Sequence, residues 1–205
     1  MKVNTNWWNR IRYTLYTPSY DMIASVFRAS RRRSIDSLGV STGDKVLIIG
    51  AGTGLDLEFL PSDCSIVAAD ITPSMVQKIK GRNKELGLNV DAMVMDGQKL
   101  QFEDRSFDKV ILHLILAVIP DPVACVQETE RVLKSGGEVV VFDKFVRGKG
   151  KISVLRKTVN VLTNFFFSDI TRDIDVIIST TTLTKISDQD ADCNGNFRLI
   201  KLRKP

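Results

Sequence analysis

The stretch Lys45-Val46-Leu47-Ile48-Ile49-Gly50-Ala51-Gly52-Thr53-Gly54 is a short apolar run that passes straight into alternating glycines. Aliphatic residues over this length read as a buried strand, and glycines directly after it let the backbone approach a ligand closely. A helical segment over 55–60 is expected next, with its first N–H groups facing that ligand. The spacing is selective. A dinucleotide fingerprint needs glycine where this chain has Leu55, and no Gly-Lys followed by Ser or Thr makes a Walker loop.

Outward from this turn, short apolar strands alternate with helical segments, the signature of a parallel α/β sheet. Strands are expected at residues 45–49, 65–69, 89–94, 107–113 and 138–142, and helices at 73–86 and 123–133. Thr72-Pro73 opens one helix and Lys134-Ser135-Gly136-Gly137 closes another. Residues 182–186 and 196–202, joined through Cys193-Asn194-Gly195, read as two antiparallel strands after a stretch at 173–179 that reads as helix, although its β-branched residues also permit a strand. Before residue 40 the pattern is helical, with Trp7, Ile11 and Leu15 on one face, a break at Thr17-Pro18 and a second helix over 19–38. Two strand ends carry carboxylates, Asp70 and Asp96. In an open α/β sheet such ends face one crevice, where Asp70 can accept from two ribose hydroxyls and Asp96 from an adenine amine. With GxGxG in place of GxGxxG, the set suits a nucleoside that carries an amino acid. Singly, each Asp also reads as a helix cap.

The 205 residues fit one domain, organised as 1–39, 40–145 and 146–205, and need no disulfide or metal staple. Cys64, Cys125 and Cys193 are odd in number and never form CxxC, and a single histidine leaves no metal centre. The longest charge-free apolar stretch, 110–120, is too short to span a bilayer. No signal peptide is read at the start, so a cytoplasmic location is expected. The net charge of +5 is uneven. Residues 1–33 hold seven Lys or Arg against Asp21, and residues 145–172 hold six against Asp169, leaving the middle acidic. Two basic segments of this kind suit an anionic partner or are solvated helix faces.

Taken in order, Val46 to Gly54, Asp70-Ile71-Thr72-Pro73-Ser74-Met75, Asp96-Gly97, Phe102 to Asp108 and Arg131 to Gly137 resemble the class I S-adenosylmethionine-dependent methyltransferases over about residues 40–145. The resemblance implies a Rossmann-like α/β fold. Its sheet is seven-stranded and mostly parallel, with helices on both faces and a C-terminal antiparallel hairpin. It implies S-adenosyl-L-methionine as cofactor, with Gly50, Ala51, Gly52 and Gly54 along its methionine and ribose. Asp70, Ile71 and Met75 fall at the ribose side, and Asp96 and Gly97 at the adenine. One position departs from the family, which usually has Glu or Asp where this chain has Ile48. Leu116 to Val123 and Arg12 to Asp21 resemble bacterial phosphatidylethanolamine N-methyltransferases, and also lie near the methyltransferases of ubiquinone and menaquinone biosynthesis.

The expected reaction is methyl transfer to the amine of a phospholipid headgroup, because two basic, aromatic-bearing segments suit an anionic interface; C-methylation of a quinone precursor or methylation of a soluble small molecule is the rival, and nucleic acid is disfavoured. Residues 118–122 read Val-Ile-Pro-Asp-Pro, not the Asn/Asp-Pro-Pro-aromatic motif of base-amine methyltransferases. A non-catalytic binding protein on the same fold is the alternative from a different class. An ammonium acceptor must lose a proton before attack, and His113, Tyr20 or water are the candidates to take it. His113 also reads as a core residue, and Tyr20 as packing. Trp7, Trp8, Arg10, Arg12, Tyr13 and Tyr16 form a helix that suits either an anionic membrane interface or a lid over the crevice. Phe165-Phe166-Phe167 invites the same two readings, and Arg31-Arg32-Arg33 reads as a solvated face.

Overall fold

The computed structural model describes residues 5–146, 169, 171–191 and 196–205, and within 16–20 and 22–24 the backbone only. The seven strands are β1 Lys45–Ile49, β2 Ser65–Asp70, β3 Val90–Val94, β4 Phe107–His113, β5 Leu133–Lys144, β6 Thr184–Asp190 and β7 Phe197–Arg203. The helices are α1 Asn6–Ala24, α2 Arg28–Leu38, α3 Pro73–Leu86, α4 Pro122–Val132 and α5 Ile174–Ile178. Strand order is β3-β2-β1-β4-β5-β7-β6. The first five strands run parallel, and β7 lies antiparallel between β5 and β6. The order reverses between β1 and β4, so their C-terminal ends open a crevice there.

Strand alternation divides the core. Leu47 and Ile49 of β1, Val110 and Leu112 of β4, and Val139 and Val141 of β5 face α4 and α5. Val46, Ile48, Ile111 and Val140 face the other way, against Ile35 and Leu38 of α2 and Ile79 of α3. Burial on both faces explains why β1 carries an unbroken apolar run, each such side chain contributing about 1.5–3 kcal/mol. At the opposite end of the sheet, Glu138 meets Lys109, Lys201 and Arg203, a carboxylate knitting β4, β5 and β7.

Three expectations are corrected. No helix follows the glycine turn: a single 3-10 turn spans Leu57–Phe59, because Asp56 is drawn into a buried ion pair and Pro61 follows closely. The helix does not break at Pro18. It runs on to Ala24 and turns through Ser25–Phe27, held on both sides of the proline by contacts to the loops after β3 and β4 and to Arg82 of α3. These contacts offset the interior proline's cost of about 3 kcal/mol. Arg31 is not solvated but 4% exposed, whereas Arg32 and Arg33 face water. The aromatic triplet Phe165 to Phe167 and the turn at Cys193 lie outside the described residues.

Candidate active site

The crevice at the ends of β1, β2 and β4 holds about 610 Å³ of empty space, including its open mouth. Gly50 and Gly52 form one edge, Asp70, Ile71 and Met75 the next, and Asp96 and Gly97 the third. Leu114 to Pro120, after β4, supply an apolar wall through Leu114, Ile115, Val118 and Ile119. Asn6, Asn9 and Tyr13 of α1 close the remaining side. The spacing of one helical turn, then one more, puts these three on one face of α1.

Close approach requires the glycines. Gly50 has φ +69, and a Cβ there would stand 2.6 Å from Ile115 Cδ1. A Cβ on Gly97 would stand 2.6 Å from Ile49 Cγ2. Leu114 also takes a left-handed conformation, φ +58, which costs roughly 1–3 kcal/mol and sends Ile115 back across Gly50. The wall is pinned from behind. Asp143 accepts from Ala117 N at 2.9 Å, Asn9 Nδ2 donates to Val118 O at 3.0 Å, and Arg172 donates to Leu116 O.

Asp70 is buried at the floor. Its Oδ2 accepts from Gly52 N at 2.9 Å and its Oδ1 from Thr72 N at 2.8 Å. Burial pushes its pKa up to about 6, against the pull of those two N–H groups. Each oxygen keeps a lone pair for a further donor. Asp96 Oδ1 accepts from Gln98 N and Gln98 Nε2, and its Oδ2 accepts from Asn6 Nδ2 at 2.6 Å. Two carboxylates, a glycine edge with no room for a Cβ and apolar walls fit a nucleoside with vicinal hydroxyls and an exocyclic amine.

Not every expected residue reaches the crevice. Ala51 packs into the α2-side core, and Gly54 sits against Leu57 and Ile79. Ile48 is 1% exposed beneath α2, so nothing of its side chain reaches the crevice. His113 is also absent from its lining and is 3% exposed. Its Nδ1 lies 2.8 Å from Asp56 Oδ1 and its Nε2 2.9 Å from Ser34 Oγ, while Arg31 Nη1 meets both Asp56 oxygens at 2.8 and 2.9 Å. With both ring nitrogens engaged, the ring has no position for a substrate proton. Burial opposes the Asp56 charge, but Arg31 and His113 hold that carboxyl below the usual range. Ser34, His113 and Asp56 stand in nucleophile–base–acid order, yet Ser34 is 1% exposed and touches none of the crevice. The Tyr20 side chain lies outside the described residues. Sequence reasoning missed Asn6 and Asn9 and placed Tyr13 only on a helix. The signal was there in their spacing, opposite the Trp7, Ile11 and Leu15 face.

A mostly parallel sheet, with carboxylates after β2 and β3 beside its switch point, defines an α/β fold whose crevice suits a nucleoside-type cofactor. Comparison with known proteins agrees. A methyltransferase domain family matches residues 47–141. Phosphatidylethanolamine N-methyltransferase of Cereibacter sphaeroides is 30% identical over 148 residues, 71% of each chain. Demethylmenaquinone methyltransferase of Paenarthrobacter aurescens is 32% identical over 130 residues, 60% of this chain and 50% of that enzyme, so the chain spans about half its length. The structure of an S-adenosylmethionine-dependent methyltransferase from Aquifex aeolicus superposes with a TM-score of 0.64 at 16% identity, over 84% of this chain and 88% of that one, and shares the fold. The chain belongs to the class I S-adenosylmethionine-dependent methyltransferases, and S-adenosylmethionine is its cofactor.

Proposed function

We propose that this methyltransferase methylates the amine of a phospholipid headgroup. The observation that carries the reading is the two-sided helix α1. Its inner residues Asn6, Asn9 and Tyr13 wall the crevice while Trp7 and Leu15 are 71% and 72% exposed on its outer face. The similarity to a phosphatidylethanolamine N-methyltransferase and the two basic segments support it. In this reading residues 1–39 are the lid and membrane segment of a single domain, 40–145 the cofactor core and 146–205 the acceptor side. The enzyme works at the cytoplasmic face of a membrane. No helix among the described residues is long and apolar enough to cross one.

Bound S-adenosylmethionine supplies an electrophilic methyl group on a sulfonium. Asp70 would accept from the ribose hydroxyls and Asp96 from the adenine amine, with Gly50 and Gly52 holding the methionine and Ile71, Met75 and Gly97 flanking. The apolar wall of Ile115, Val118 and Ile119 excludes water from the acceptor's approach. Holding two reactants in line contributes on the order of 7–11 kcal/mol. Tyr13, which lines the crevice from α1, orients the amine. The amine's proton leaves through water at the open mouth.

Incubation with methyl-labelled cofactor and a mixed bacterial lipid extract, followed by separation of phospholipids from quinones, tests the proposal. Label is expected in the amine headgroup fraction. Label confined to quinones would replace the reading with C-methylation of a quinone precursor, which the similarity to demethylmenaquinone methyltransferases favours as second. Label in neither would point to a soluble acceptor.

A further inference from the structure

We propose that the outer face of α1, with the start of α3, is a docking surface for an anionic lipid bilayer, and that docking there is coupled to the cofactor crevice. The inference deepens the membrane-borne acceptor reading and rests on it. Trp7, Ile11 and Leu15 recur at four-residue spacing and so share one face of α1. They border a shallow groove floored by Pro73 and Ser74, with Arg10 at its side and no acidic residue in its lining. The first turn of α1 carries no acid either. The described acid on α1 is Asp21, which is turned to Thr53 and Arg82 at the far end of the helix.

Charge complementarity and side-chain type select the occupant. A tryptophan and aliphatic chains beside a cation, with no carboxylate, match the interfacial zone of a bilayer and its anionic headgroups. Contiguous exposed apolar patches mark interaction sites, and Trp7 and Leu15 are 71% and 72% exposed on one face. The coupling follows from the opposite face of the same helix. Asn6 holds Asp96 Oδ2 and Asn9 holds Val118 O, so a shift of α1 against a bilayer moves two sides of the crevice. Linkage is reciprocal: vesicles that bind α1 must change cofactor affinity by the factor by which cofactor changes vesicle affinity.

Vesicles of phosphatidylcholine with and without phosphatidylglycerol contain neither ethanolamine nor quinone, so docking is read apart from methylation. The full chain is expected to float with the anionic vesicles, at least about tenfold more tightly than with neutral ones, and to change its cofactor Kd when bound. The double variant Trp7→Ala, Leu15→Ala keeps a helix-favouring sequence, and should bind cofactor in solution as before while losing about tenfold or more in vesicle affinity. Arg10→Glu should remove the preference for phosphatidylglycerol. The proposal is overturned if the wild type stays in solution with anionic vesicles, or if the double variant floats equally well. It is likewise overturned if vesicle binding leaves cofactor affinity unchanged, or if the double variant only converts a self-associated form to monomer. Floating without headgroup methylation would sink the acceptor reading and leave docking intact. Headgroup methylation in detergent without floating would do the reverse.

Discussion

Asp70 carries an unfavourable charge in the crevice, since burial lifts its pKa to about 6 against the opposing hydrogen bonds from Thr72 and Gly52. A carboxyl whose folded pKa exceeds its unfolded value favours folding below the unfolded value near 4 and loses that contribution as pH rises through about 6. Ribose hydroxyls donate to the ionised form, so cofactor relieves a cost that exists only above that window. Cofactor should therefore raise the melting temperature more at pH 7.5 than at pH 5, in a thermal-shift series at fixed ligand excess. Equal shifts at both pH values would remove Asp70 from the ribose site. Gly50, Gly52, Gly97 and both aspartates line the crevice where the sequence placed them, because close approach and hydrogen-bond acceptance constrain residue type. Ile48 was legible only as an exception. The structure shows its position given over to core packing beneath α2.

Elements reveal what single residues conceal. The strands were readable because burial on two faces demands unbroken apolar runs, and β4 ends at His113 as expected from its pattern. The fate of His113 was not readable, because its partners come from 57 and 79 residues away. The network of Arg31, Asp56, His113 and Ser34 ties α2 to the loop after the glycine turn and to the end of β4, so its role is to hold those elements in register. His113→Gln leaves buried Asp56 and Ser34 partly unsatisfied and should cost about 1–3 kcal/mol, seen as a lower midpoint in denaturant. The pH profile of methyl transfer should keep its shape. A profile that loses a limb in this variant would restore a proton-transfer role to the ring. The path of α1 through Pro18 was equally hidden, because long-range anchors through Asn6, Asn9 and Asp21 outweigh a local breaker.

Across the whole molecule, one end of the sheet binds and the other braces. The switch point gathers Asp70, Asp96 and the glycine edge, while Glu138 and its three cations close the far end, where burial of that carboxylate is outweighed and its pKa falls to about 2. Calorimetric titration of S-adenosylmethionine into wild type and Asp70→Asn at pH 7.5 tests most directly whether this crevice is the cofactor site. Wild type should bind one equivalent, and the variant should bind at least about tenfold more weakly, since it loses an acceptor and sets an amide against the Gly52 or Thr72 N–H. Equal affinity in the two proteins, or no binding to wild type, would contradict the account.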